Sequence, residues 1–432
     1  MRPKKRGWAA LFGVGWLSEA VYLAATIRLP WWRYGGRLWS WPELLGGGWG
    51  LAVCLAGIAV LMGVYLLGWF VVRQGWEDRR ILWRFAGLFA VTLLWFMPIT
   101  SDLFTYLTQS HLLADLRANP YQVAPLDLSS DPLVLAYPTR YATRPSVYGP
   151  VWILLSAPGT LTRVDIVGGL FWLKGLAVVA YLGCARLVER ILQQIRHTAT
   201  VEGLYLFAWN PLVLLLGVGA GHNDMVMMAL VLLAFWLAVN QHWVGAWMTL
   251  VLSIWVKYVS VIFFPLLILW TWKWAKEVSG LDPVQTCARG AVASALVSVL
   301  AFLPFWSPGL LPGIGQRLLQ PINWAMGSLD QWIWALRIGL ACFAAVYGIL
   351  IRRLVRGDAS FQRFVDTCFL LSLIAFGMGA ARSQPWHLIW SIALAGLASW
   401  RWAWPVVVGL AAIMLGAQVW VEWGAPGLKL LF

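Results

Sequence analysis

From Trp8 almost to its end, the chain is a succession of apolar runs, each close to the roughly 20 residues that cross a bilayer. Inside hydrocarbon no water satisfies peptide groups, so such runs must form helices or a closed barrel. They show none of the alternation of apolar and polar residues that barrel strands carry, which leaves helices. The composition agrees: 61% of the 432 residues are hydrophobic and 12% are charged, a balance foreign to soluble domains. The expected fold is a single all-α, polytopic membrane domain.

Spans are expected near 8–29, 48–72, 82–99, 165–186, 201–217, 224–240, 242–256, 258–274, 288–307, 330–351, 364–380, 386–400 and 404–422. The net charge of +14 comes from basic residues at the ends of these runs, not from one patch, which argues against nucleic acid and for orientation in lipid. Arg2, Lys4, Lys5 and Arg6 precede an apolar run too long for a cleaved signal, so it reads as a first span with a cytoplasmic N-terminus. The clusters at Arg73–Arg84, Arg186–Arg196, Lys273–Lys276 and Arg352–Arg356 then share the cytoplasmic side, given thirteen spans and an external C-terminus. That count requires 148–162, which holds Pro150 and Pro158, to be an interfacial helix. The five cysteines (Cys54, Cys184, Cys287, Cys342, Cys368) lie in or beside apolar runs without a CxxC pair, and read as small buried hydrophobes.

With this topology the unusual polar residues gather externally. Asp102 ends the third run and opens the longest polar connection, 100–164. A carboxylate there can be a solvated boundary residue, but Tyr106, His111, Asp115, Arg117, Tyr121, Tyr137, Arg140, Tyr141, Arg144 and Tyr148 follow it, a set suited to sugars and phosphates. Asp102 is therefore the candidate general base. Gly221-His222-Asn223-Asp224 opens the sixth run. Asn or Asp would serve there as a helix cap, yet the three together exceed that need and are candidates for substrate hydroxyls. No strand precedes these glycines and no Gly-Lys-Ser/Thr follows, so a nucleotide loop is excluded. No cofactor is called for; a divalent ion held by His222 and Asp224 is the one alternative. Lys257 breaks an apolar stretch, and Arg382 stands outside against the charge bias. For both, a phosphate explains the position better than snorkelling does, and Arg144 and Lys174 are further candidates of that kind. The 32 tryptophans are mainly an interfacial belt, with Trp386, near Arg382, a candidate to face a sugar or isoprenoid.

Ser101-Asp102-x-x-x-Tyr106, Asn119-Pro120-Tyr121 and Ala124-Pro125 resemble the first external loop of bacterial polyprenol-phosphate-mannose-dependent mannosyltransferases of glycosyltransferase superfamily C. Tyr148-Gly149-Pro150 resembles their Tyr-Pro-Pro interfacial helix. Trp209-Asn210-Pro211 through Gly221-His222-Asn223-Asp224 resembles their Trp-Asn-Pro to Gly-His-x-Asp region, and Val256-Lys257-Tyr258 and Gln384-Pro385-Trp386 match in order. The resemblance covers roughly 82–400, leaving 1–81 as a two-span N-terminal extension and 401–432 as a last span and tail. It implies an inverting transferase in the cell membrane that moves a hexose, mannose first, from a polyprenyl-phosphate donor to a glycan or glycolipid acceptor on the external face. Asp102 would be the base, with Lys257 and Arg382 on the departing phosphate. Many relatives carry two acids where this chain has Asp102-Leu103, so Asp115 or Asp224 would have to supply any second acid. A secondary transporter or an inactive glycan-assembly subunit are the other classes. A transporter would carry its ionisable residues near mid-membrane, whereas these cluster at one face.

Overall fold

The computed structural model describes residues 3–34, 44–75, 78–97, 100–136, 142–160, 166–307, 331–378 and 384–423. Among them all regular structure is helical, apart from one isolated antiparallel bridge between Pro30 and Phe96. The main helices are α1 (Pro3–Arg28), α2 (Gly47–Arg73), α3 (Arg80–Leu94), α4 (Asp102–Ala114), α5 (Pro150–Ser156), α6 (Ile166–Ile195) and α7 (Thr200–Ala208). After a π-helix at Val213–Gly219 come α8 (Asp224–Val239), α9 (Trp243–Val256), α10 (Phe264–Trp274) and α11 (Pro283–Phe302). The last four are α12 (Gln331–Arg356), α13 (Phe361–Met378), α14 (Leu388–Ala395) and α15 (Ala403–Glu422).

Seven helices among the described residues are long and apolar enough to cross a membrane, and the protein is a multi-pass membrane protein. Where one span was expected over 201–217, the chain forms two pieces bent by 60°. Pro211 supplies the break, since it has no amide to continue the ladder. Asn210 repairs it: its Oδ1 accepts from the amides of Leu212 and Val213 at 3.0 and 3.4 Å. The stretch expected to lie in the interface is a seven-residue helix, α5, ending in a 3-10 turn, Ala157–Gly159. At about 1.5 Å per residue it is too short to cross.

α8 sits centrally between α6 and α9, and Met225, Met228, Val231, Leu232 and Phe235 are all buried. α11 instead leaves Val292, Leu296, Val299 and Leu300 exposed, as a lipid-facing helix must. Lipid offers no hydrophobic drive between helices, so close approach and polar ties hold them. Gly203 and Gly396 let α7 and the end of α14 touch: a Cβ on Gly203 would lie 2.8 Å from the Gly396 carbonyl. Tyr65 and Tyr205 stack and each donates to a carbonyl of the other's helix, at 2.8 and 2.7 Å. Basic residues gather around the start of α3, and another ties later helices together. Glu189 pairs with Arg79 at 2.7 Å and with Arg186, Arg73 lies 3.7 Å from Glu202, and Lys273 donates to the carbonyls of Val355 and Gly357. α3 runs from that end to the one that carries Asp102.

Candidate active site

Five chain segments converge at the Asp102 end. Asp102 opens α4 and remains partly exposed. Facing it is the turn after the π-helix, where Gly221 takes φ +71°. That is a left-handed conformation natural to glycine, and Leu103 packs against it. Leu103 is fully buried, so the position after Asp102 serves packing here.

The turn swings His222, Asn223 and Asp224 inward, and all three are fully buried. His222 Nδ1 lies 3.4 Å from Asp102 Oδ2, without hydrogen-bonding geometry, and its Nε2 is 3.4 Å from Thr100 Oγ1. The imidazole stacks on Trp386 with ring centroids 4.0 Å apart and planes within 15°. Among the described residues, neither side-chain polar atom of Asn223 finds a partner. The Tyr106 hydroxyl is buried without a hydrogen-bond partner among the described residues, and its ring sits edge-on to Tyr148 and Trp152, each at 4.9 Å.

Asp224 is the second acid of the group. Lys257 Nζ binds both its oxygens, at 2.9 and 2.8 Å, and Trp390 Nε1 donates to Oδ1 at 2.6 Å. Lys257 reaches it because the chain breaks between α9 and the 3-10 helix Tyr258–Phe263: Lys257 is extended, with φ −148° and ψ 118°. Gly149 fits into that break, its amide donating to the Val256 carbonyl at 3.3 Å. A Cβ on Gly149 would stand 2.0 Å from the Trp255 carbonyl oxygen. Gly149→Ala must push the two segments apart, so a loss of about 1–3 kcal/mol is expected, read as a lower midpoint of thermal unfolding in detergent together with lost activity.

The other polar residues of the loop hold its shape. Asn119 donates to the Phe305 carbonyl at 2.9 Å, and Tyr121 donates to the Tyr148 carbonyl at 2.8 Å. His111 bonds Asp115 at 2.7 Å and Asp131 at 3.2 Å. Burial opposes the charge on Asp131, but the Val134 and Leu133 amides and His111 outweigh it and hold the carboxyl below its usual value. Asp115 lies thirteen residues along α4 from Asp102, about 20 Å at 1.5 Å per residue, too far to serve as a second acid. Lys174, read from sequence as a phosphate ligand, is fully buried and bonds the carbonyls of Phe96 and Gly219, the latter at 2.6 Å. It joins the end of α3 to the π-helix. Arg144 is exposed on the loop before Ser146, and Arg382 lies outside the described residues.

The structure thus brings together Asp102, Tyr106, Tyr148, His222, Asn223, Asp224, Lys257 and Trp386. Among the described residues no three His, Cys, Asp or Glu side chains gather as a metal site, and Asp224 already shares its oxygens with Lys257 and Trp390. Sequence reading missed Trp390, although it follows Trp386 by four residues and so shares its helix face.

A family profile described as alpha-(1->6)-mannopyranosyltransferase, N-terminal domain, matches residues 9–274. The chain belongs to this family. The match takes in α1 and α2, where sequence motifs alone had offered no resemblance. Alpha-(1->6)-mannopyranosyltransferase A of Mycobacterium tuberculosis is 26% identical over 92% of this chain and 79% of its own length. Alpha-(1->6)-mannopyranosyltransferase B of Corynebacterium glutamicum is 25% identical over 42% of this chain and 32% of its own length. No solved structure matches the chain. The protein is a membrane glycosyltransferase of the mannosyltransferase class.

Proposed function

We propose that the protein transfers mannose from a polyprenyl-phosphate carrier to a primary hydroxyl of a glycan or glycolipid on the external face, forming an α-(1→6) linkage. The observation that carries this reading is the difference between the two acids. Asp224 is neutralised by Lys257 and bonded by Trp390, whereas Asp102, among the described residues, has His222 at 3.4 Å as its charged-group neighbour and stays partly accessible. One acid is a structural counter-charge and the other is open for proton transfer.

In the reaction, Asp102 takes the acceptor hydroxyl proton as that oxygen attacks the anomeric carbon. The carbon–oxygen bond to phosphate breaks, and the phosphate leaves on its lipid with the bonding pair. Lys257, with Arg382 as its partner in this role, meets the charge that grows on the leaving oxygens. His222, clamped on Trp386, fixes the side of Asp102 away from the acceptor. No cofactor is needed for this displacement. A single displacement inverts configuration, so an α-linked product requires a β-linked donor. Membranes containing the protein should therefore use β-mannosyl phosphopolyprenol and leave the α anomer untouched, with product released by an α-(1→6)-specific mannosidase. Equal use of both anomers would overturn the single-displacement assignment.

A further inference from the structure

His387 lies in the site, yet the reaction described above gives it no part. It closes the 3-10 turn Pro385–His387 and stands just before α14. Its ring stacks on Trp390 with centroids 4.8 Å apart and planes at 26°, and lies edge-on to Trp386 at 6.0 Å. Those two indoles are the ones that bond Asp224 and clamp His222. The charges of Lys257, Asp224, His222 and Asp102 all act on the imidazole. The main-chain amide of Gln384 donates to its Nδ1 at 3.1 Å. An amide N–H can only donate, so Nδ1 carries the lone pair and the ring proton sits on Nε2. That proton has no acceptor among the described residues, and His387 remains partly exposed. The turn thus fixes a neutral ring with one free N–H beside the two acids.

We infer that His387 Nε2 donates a hydrogen bond to the leaving phosphate, as a neutral partner to the Lys257 cation. This rests on the lipid-donor reading above and adds a residue to it. Three observations carry it. First, both side-chain contacts that Lys257 makes go to Asp224, so a phosphate arriving there, with several oxygens to satisfy, calls for a further donor. Second, His387 and Lys257 share one indole: Lys257 Nζ lies 5.8 Å from the Trp390 ring centroid and the His387 ring 4.8 Å. Third, a histidine that served only to stack and to cap the turn would have its other nitrogen paired within the protein. Nε2–H can only donate, which matches a phosphate, since a phosphate anion only accepts. The imidazole keeps its proton throughout. As the anomeric carbon–oxygen bond breaks, the bonding pair goes to the phosphate, and the hydrogen bond strengthens with the charge it meets.

The test compares two variants of the full chain in detergent. His387→Phe keeps a ring on Trp390 and removes both nitrogens. His387→Gln restores an N–H donor and a carbonyl oxygen that can take the Gln384 amide, as glutamine does at this position of a capping box. Binding of labelled farnesyl phosphate and of labelled farnesol, which differ only in the phosphate, gives a preference for each protein. In His387→Phe the preference for the phosphate should fall about 10- to 100-fold, the size of one hydrogen bond to a charged group, with kcat/KM for mannosyl phosphopolyprenol falling at least as far. His387→Gln should recover most of both. A merely structural role would lower the thermal midpoint and weaken both ligands alike, leaving the preference unchanged, and that result would overturn the assignment. So would a wild type that binds the alcohol as well as the phosphate, or a glutamine variant that folds but recovers nothing. Should the wild type transfer no sugar from the lipid donor, the mannosyl-donor reading falls, and the binding preference still decides whether His387 meets a phosphate.

Discussion

Asp102→Asn is expected to lower kcat by about 10³-fold, within the range that general-base catalysis contributes, while the protein folds and binds its donor. The substitution keeps the size of the side chain and removes only its capacity to accept a proton. Asp102 sits at the first turn of α4, partly exposed, and its nearest titratable neighbour, His222, is held by stacking on Trp386 rather than by the carboxylate. Among the described residues no ion pair other than this 3.4 Å approach involves its charge. The thermal midpoint in detergent should stay within a degree or two of wild type, consistent with the small effects of changes that touch neither core nor pairing. Normal turnover by the folded variant would move the base elsewhere in the site.

Lys257→Met should be the most damaging single change, and for a different reason. It strands the Asp224 carboxylate, which is fully buried, with Trp390 as its remaining donor among the described residues. Removing one partner of a buried pair typically costs about 3–5 kcal/mol, because the other charge is left uncompensated. Adding Asp224→Asn removes that charge and should restore most of the stability, but not transfer, since the cation proposed to meet the leaving phosphate is still missing. Unfolding in detergent and turnover, measured on the two single variants and the double, separate the two contributions. If the double variant recovers activity along with stability, Lys257 is only a counter-charge and has no part in the reaction.

Much of this was legible in the sequence because polar residues stand out in an apolar chain. Asp102, His222 through Asp224 and Lys257 were marked as polar residues in or beside apolar runs, Trp386 by its place near Arg382, and the fold brings them, Arg382 apart, to one place. What could not be read was who pairs with whom. Asp224 and Lys257 lie 33 residues apart, and their pairing depends on an extended residue at Lys257 that no propensity announces. Lys174 looked like a phosphate ligand because a lysine inside a span needs an anion or an acceptor. The acceptors turned out to be main-chain carbonyls at two helix ends, which leave no trace in side-chain chemistry. Asn119-Pro120-Tyr121 and Trp209-Asn210-Pro211 carried the resemblance, yet they act as a staple to Phe305 and as the repair of a helix break. Motifs of that kind mark a shared framework more than shared chemistry. The span pattern was plain in outline, but hydropathy alone reads the bent pair at Pro211 as one continuous helix.

The central claim is that the sugar arrives on a lipid phosphate, and the most direct test is a choice of donor. The purified chain in liposomes would be given mannose labelled either on polyprenyl phosphate or on a nucleoside diphosphate, with an oligomannoside acceptor in both cases. Transfer from the lipid donor alone is the predicted result. Transfer from the nucleotide donor without any lipid intermediate would contradict the account.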